Sequence, residues 1–289
     1  MYAPEFQYYR AASVAEAAEL LSKNPDAKIL AGGHSLIPVL KLRLAAPSAL
    51  IDIGRVEVLR GIECSSGTIR IGALTTHAEL AASAELRARA QALAEAAGMI
   101  GDPAVRNRGT IGGNVAHADP ASDLPQVLSC LGAEFLITGP QGERRLGASE
   151  FFEGLMSTAL GEDEILTAIE LPEAGAGEGS AYAKFAHPAS RYAVIGAAAK
   201  VAANNGTCTA ASVVLGGLCP APVRAEAVER ALVGRSLTDE AIGSASRATA
   251  ESLDDDEVLG DVYASAGYRK AVAPVWVRRA VTAAASRSG

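Results

Sequence analysis

Aromatic residues are scarce in this chain, 4% of the total with a single tryptophan. A core must therefore come from the Ala, Leu, Val and Ile that dominate its 49% apolar content. Basic charge is also short: 26 Lys and Arg stand against 33 Asp and Glu, a net charge of −7. An acidic surface disfavours polyanions, which argues against nucleic acid or an anionic membrane as a principal partner. No apolar run is long enough to span a bilayer. Met1-Tyr2-Ala3-Pro4-Glu5-Phe6 has neither the basic nor the apolar region of a secretory leader, so the expectation is a cytoplasmic protein.

Cysteine is sparse as well. Cys64, Cys130, Cys208 and Cys219 form no Cys-x-x-Cys pair, and read as free thiols in a reducing compartment. Such spacing does not hold an iron–sulfur cluster. His34, His77, His117 and His187 show no ligand spacing, and no metal site is expected.

What the chain does have is glycine, 29 residues in all, twice as a doublet among small polar residues. One motif is Ala31-Gly32-Gly33-His34-Ser35-Leu36 and the other Thr110-Ile111-Gly112-Gly113-Asn114. Glycine lets backbone N–H groups approach a phosphate with no Cβ in the way. His34, Ser35, Thr110 and Asn114 add side-chain donors, and a helix starting at Ser35 would add its positive end. Neither motif contains Lys or Arg. Either alone reads as an unliganded tight turn; two facing each other could clamp the diphosphate of a dinucleotide.

The remaining segments alternate. Ser13-Val14-Ala15-Glu16 is a capping box opening a helix to about Lys23, followed by a strand over 27–30. Ser35 is expected to cap a helix through about Leu42, before a strand over 49–53. A second block begins near Val56, with a strand over 68–72, a capping box at Thr76 to Glu79, and one helix from Glu85 to Gly98. Asp123, with Pro125 behind it, reads as a helix start, and Gly139-Pro140-Gln141-Gly142 as a hairpin. Pro172 to Ser180 reads as a linker. Its Gly-x-Gly precedes a strand and lacks the third glycine of a dinucleotide fingerprint. Strands over 181–186, 192–203 and 207–218 follow, two of them joined at Asn204-Asn205-Gly206. The chain is then helical from Val223, with a break at Pro274. The class is α+β, ending in a small antiparallel sheet with helices on it.

The two glycine motifs resemble those of the FAD-binding middle subunits of the molybdenum hydroxylases, the carbon monoxide and xanthine dehydrogenase family. The likeness continues through Gly72-Ala73-Leu74-Thr75-Thr76-His77, Pro120-Ala121-Ser122-Asp123-Leu124, Asp163-Glu164-Ile165-Leu166, Ile169-Glu170-Leu171-Pro172 and Ala183-Lys184-Phe185, nearly the whole chain. It implies a two-subdomain FAD-binding fold of the vanillyl-alcohol-oxidase or PCMH type over residues 1–175, with subdomains of about 1–56 and 57–175. A carboxy-terminal α+β domain over 178–289 would close on the flavin. By position, residues 31–36 and 110–114 (Ala31, Gly32, Gly33, His34, Ser35, Leu36, Thr110, Ile111, Gly112, Gly113, Asn114) would bind the diphosphate. Asp123 would accept from sugar hydroxyls, Ile100 and Leu166 would pack on the cofactor, and Tyr192 would cover the ring face. Lys184 would lie by the ring, where a cation raises its potential.

The resemblance further implies an electron-transfer role with no catalytic residue for hydroxylation in this chain. [2Fe–2S] clusters would sit on a small partner subunit and molybdopterin on a large one, in a dimer of heterotrimers. A self-contained FAD-dependent oxidase or reductase is the alternative, and a non-catalytic assembly subunit a further one.

Overall fold

The computed structural model describes residues 2–288. In the first block the strand Ala49–Asp52 lies between Gln7–Arg10 and Lys28–Leu30, parallel to both. Parallel neighbours need crossover connections, here carrying the helices Val14–Lys23 and Leu36–Lys41. The first helix starts at the expected cap, Ser13 Oγ accepting from Glu16 N at 3.1 Å, but the box is half formed, because Glu16 Oε2 accepts from Ala12 N at 2.7 Å rather than from Ser13 N. Ser35 differs from expectation. It lies in the right-handed helical region and its side chain caps nothing, because a capping hydroxyl reaches back only from an extended residue.

The second block is a five-stranded antiparallel sheet in the order Ile62–Ser65, Thr68–Gly72, Ile165–Pro172, Glu134–Gly139, Gly142–Gly147. Gly139 pairs with Gly142 across the expected hairpin. The single helix expected from Glu85 to Gly98 is instead two, Ala84–Arg89 and Gln91–Met99, separated by Ala90 at φ −149 and ψ 55. Burial explains the break. The first piece buries only Leu86 and runs along the surface, whereas the second buries Ala92, Leu93, Ala94, Ala96 and Ala97 and turns into the core.

The last block is an antiparallel meander of Glu178–Ala186, Ala193–Asn204, Thr207–Gly216 and Val223–Arg224. Asn205 and Gly206 take φ of 49 and 75 at its hairpin, as a turn matched to strand twist requires. Both faces of this sheet are covered. The helix Ala266–Ala285 lies on one, and Gln91–Met99 with Leu124–Leu131 lies on the other. Alternate side chains therefore enter different cores. Tyr182, Ala198 and Val214 join Leu93 and Leu128, while Ala181, Ala197, Ala199 and Val213 join Ala273 and Val277. Two-sided burial is why the middle strand reads as an almost unbroken run of alanine and valine.

Two ties reinforce the junction between the second and third blocks. Arg287 Nη2 meets Glu95 Oε1 at 2.6 Å, and Glu95 Oε2 accepts from Tyr182 N at 3.1 Å.

Pro274 does not break the last helix, which is continuous over Ala266–Ala285. The proline forfeits the bond to the Lys270 carbonyl, but Ala273, Val277, Ala280, Val281 and Ala284 are all buried on that helix, and their packing outweighs the loss. Pro274→Ala is expected to restore the missing bond and raise stability by about 1–3 kcal/mol, read as a higher urea midpoint. An unchanged midpoint would mean that the helix already relaxes around the ring.

Candidate functional site

The first glycine motif emerges from the carboxyl end of the strand Lys28–Leu30, the end of a parallel sheet at which ligands bind. Among the described residues, the backbone N–H groups of Gly32, Gly33, His34, Ser35 and Leu36 have no protein acceptor. Gly33 takes φ +75, a left-handed conformation that a side chain would strain. His34 Nε2 lies 3.1 Å from Ala104 O, pinning the motif to the segment before the second one.

The motifs are in contact. A Cβ on Gly32 would fall 2.1 Å from Arg108 O, and a Cβ on Gly113 would fall 3.9 Å from Ala31 Cβ. They differ in what they offer, however. Gly112 and Gly113 are not in a loop but in the first turn of the helix Ile111–His117, capped by Thr110. Gly112 N donates to Ala73 O at 2.9 Å and Gly113 N to Thr110 Oγ1 at 3.2 Å. The second motif therefore contributes less by free amides than by bareness. Gly112 has no room for a Cβ, which would lie 2.5 Å from Ala73 Cβ. Gly113 is exposed and faces the first motif. Asn114 Oδ1 accepts from Ser122 Oγ at 2.7 Å, which leaves its amide N–H groups pointing elsewhere as donors.

Asp123 precedes the helix Leu124–Leu131 without capping it. Its carboxylate engages another element, with one hydrogen bond at each oxygen. Oδ2 meets Lys184 Nζ at 2.7 Å, and Oδ1 accepts from the Tyr182 hydroxyl at 2.6 Å. Lys184 and Asp123 expose only 3% and 5% of their side chains, so Lys184 is no solvated surface lysine. Burial pushes the Asp123 carboxyl up, opposed by Lys184, then Tyr182 and the more distant Arg191. Lys184 Nζ also donates to Met99 O at 3.3 Å, which brings Ile100, at the end of that helix, beside the pair.

Leu166 is buried in the second block's core beside a β-bulge. Tyr192 is 45% exposed and follows Arg191, which is strained at φ +62. It lines an open cavity of about 270 Å³ with Pro120, Ala121, His187, Asp261 and Arg269.

Several residues that shape this site were not singled out from sequence. Tyr182 and Gln126 support Asp123, and His77 lies under the second motif, where a Cβ on Gly109 would come 2.9 Å from His77 Nε2. The available signal is Gly196, inside a strand, with Gly216 at the end of the next, since glycines in strands mark a close approach.

Comparison with known proteins decides the family. Residues 4–174 match the family described as FAD binding domain in molybdopterin dehydrogenase, and residues 180–284 match the CO dehydrogenase flavoprotein C-terminal domain. The chain belongs to the FAD-binding medium subunits of the molybdenum hydroxylases. Among its relatives is the carbon monoxide dehydrogenase medium chain of Hydrogenophaga pseudoflava, 40% identical over 99% of both chains. The nicotine 6-hydroxylase medium subunit of Paenarthrobacter nicotinovorans is 34% identical over 100% of both.

In three dimensions the chain superposes on carbon monoxide dehydrogenase from H. pseudoflava with a TM-score of 0.94 and 42% identity, covering 99% of each chain. It superposes on quinoline 2-oxidoreductase from Pseudomonas putida 86 at 0.93 and 31%, again covering 99% of each. The protein is an oxidoreductase subunit whose cofactor is FAD, with the α+β fold and C-terminal antiparallel sheet expected from its sequence. The described residues contain no helix long and apolar enough to cross a membrane.

The geometry of this medium subunit fits a flavin dinucleotide. Successive unspent amides in the first motif suit a diphosphate, and the bare Gly113 keeps the facing surface open. Gly113→Val is expected to lose FAD with the fold intact, whereas Gly112→Val should fail to fold because of its clash with Ala73. Flavin content and circular dichroism separate the two; a folded Gly113→Val chain with full FAD would remove that face from the site.

His77 carries a second expectation. Burial, with His34 and Arg106 nearby, depresses its pKa to about 4. The unfolded chain takes up this proton near pH 6.5, so the contribution of neutral His77 is complete above that pH and is lost as pH falls towards 4. Its size is about 3 kcal/mol. Denaturant midpoints should fall across this window, and His77→Leu should flatten that slope.

Proposed function

We propose that this chain receives electrons from [2Fe–2S] clusters on a small partner subunit and delivers them, through its bound FAD, to an external acceptor. A large partner subunit carrying molybdopterin would hydroxylate the substrate, and the assembly would be a cytoplasmic dimer of heterotrimers. Relatives named as medium chains of carbon monoxide dehydrogenase and nicotine 6-hydroxylase support a place in such complexes. The observation that carries the reading is the row of unspent amides at Gly32 to Leu36, lying against the bare second motif, whose Asn114 is bonded to Ser122 beside the buried lysine–carboxylate pair.

FAD, when bound, supplies a centre that exchanges electrons singly or in pairs. Residues 1–175, as subdomains of about 1–56 and 57–175, would form its binding unit, with 178–289 closing over it. The amides of Gly32 to Leu36, with His34, Ser35 and Asn114 side chains, would hold the diphosphate. Ala31, Thr110, Ile111, Gly112 and Gly113 would shape its bed. Ile100 and Leu166 would exclude water beside the cofactor, and Tyr192 would cover the ring face. Asp123 would orient sugar hydroxyls while anchoring Lys184, which presents a fixed positive charge near the ring. Electrostatics of this kind tune a flavin's electronics.

The decisive test is chemical. The purified chain should be yellow and release about one FAD on heating, identified by mass spectrometry. Its reduced iron–sulfur partner should bleach the flavin band, while the isolated chain should hydroxylate nothing. A colourless chain that refuses added FAD would overturn the reading, and substrate turnover by the isolated chain would favour the self-contained oxidase.

Lys184→Ala should retain FAD but lower its reduction potential, because the ammonium nearest the ring is lost while the buried Asp123, deprived of its partner, takes up a proton. It should also lose about 3–5 kcal/mol of stability, the usual cost of breaking a buried pair. An unchanged potential in a redox titration would remove Lys184 from the flavin's surroundings.

A further inference from the structure

Lys184 and Asp123 form the near end of a longer polar chain that reaches back through the fold. Lys184 pairs in register with Gly196, and Gly196 with Gly216, so these three residues form one row across the third sheet. Tyr182, two residues before Lys184, shares its face. The two glycines leave a slot, and Gln126 from the facing helix fills it. A Cβ on Gly196 would lie 2.4 Å from Gln126 Nε2 and 2.5 Å from the Tyr182 hydroxyl, and one on Gly216 would lie 2.4 Å from Gln126 Oε1. Seated there, Gln126 Nε2 donates to Ser122 O at 2.9 Å and to the Tyr182 hydroxyl at 3.1 Å. Having accepted from Gln126, that hydroxyl donates to Asp123 Oδ1, and Asp123 Oδ2 is left for Lys184.

A structural tyrosine could have been replaced by phenylalanine at the same volume. What the hydroxyl adds is direction. With its lone pair engaged by an amide donor, its hydrogen is turned to the carboxylate. The arrangement is also costly: Gln126 Oε1 is buried with no partner among the described residues, and a buried orphan acceptor destabilises the fold.

We propose that Tyr182 and Gln126, housed by Gly196 and Gly216, are positioning residues that fix the Asp123 carboxylate on Lys184 and so set the charge presented to the flavin. The proposal rests on the reading that Lys184 and Asp123 lie beside FAD. The groups facing Asp123 are Lys184 and Tyr182 from one strand and Arg191 and Tyr192 from the turn after it, with neutral Gln126, on its own helix, bonded to the Tyr182 hydroxyl. Glu95, on the helix behind Tyr182, is held by Arg287.

The test uses the full chain with FAD bound. In Tyr182→Phe the carboxylate loses its neutral donor and binds a proton more readily. The acid inflection in the pH profile of the flavin potential should move up by roughly one pH unit or more, a tenfold change in proton affinity. FAD content should stay at one per chain. Gln126→Met, which keeps the volume but frees the hydroxyl to rotate, should move the inflection the same way by less. The carboxyl ¹³C titration of Asp123 in the flavin-free chain should shift alike, and needs no cofactor.

If Lys184→Ala moves the potential but Tyr182→Phe leaves both the profile and the ¹³C titration unchanged, the relay is wrong while the site stands. If Lys184→Ala also leaves the potential unchanged, it is the placement of FAD that fails. A folded Tyr182→Phe chain with an unmoved ¹³C titration overturns the proposal in either case.

Discussion

The buried pair between Lys184 and Asp123 is the interaction on which the rest of this structure turns. Its two charges come from different blocks of the chain, one from a strand of the third sheet and one from the entrance of a helix in the second. Two ions this deeply buried lose their water, and they are tolerated only with good geometry and further hydrogen bonds. Those bonds come from Tyr182 and the Met99 carbonyl. The pair therefore binds the third sheet to the second block in one registration, and it sets the helix end at Met99 and Ile100 beside the same charge.

Glycine works in three different ways here, although the sequence displays it uniformly. At Gly33 it permits a left-handed turn that leaves amides free. At Gly32 and Gly112 it lets segments touch, because neither position has space for a methyl group. At Gly196 and Gly216 it hollows a sheet face so that a glutamine can enter. Only the first use is a direct matter of ligand recognition. The others bring the parts of the site to their distances, and in a protein poor in aromatics such close contacts replace the bulky side chains that would otherwise fill a core.

Much of the local structure was legible in the residues. Thr76 starts a helix because its hydroxyl and a glutamate three residues on satisfy free amides reciprocally, while at Ser13 the hydroxyl caps Glu16 N and the Glu16 carboxylate accepts from Ala12 N instead. Asn205-Gly206 makes a hairpin because both tolerate positive φ. At Ser35 the expected cap is missing for a local cause, a right-handed helical backbone from which the hydroxyl does not reach back. At Ala90 and Pro274 packing overrides propensity: burial bends one helix and carries another through a proline. Asp123 shows the same override in the site, its carboxylate drawn from a capping role to a cation that lies 61 residues away in sequence.

By itself the sequence determined the kind of protein: α+β, acidic, with two glycine motifs in a family pattern that calls for FAD. Those traits depend on residue types at short spacing, which a linear reading captures. Tertiary structure alone decided that the second motif's amides are already taken, that Lys184 is buried against Asp123, and that Tyr182 and Gln126 stand behind the pair. Each of these depends on which strand lies in register with which, and on the low-dielectric burial that results. Register is a property of the assembled sheet, set by contacts between residues far apart in the chain.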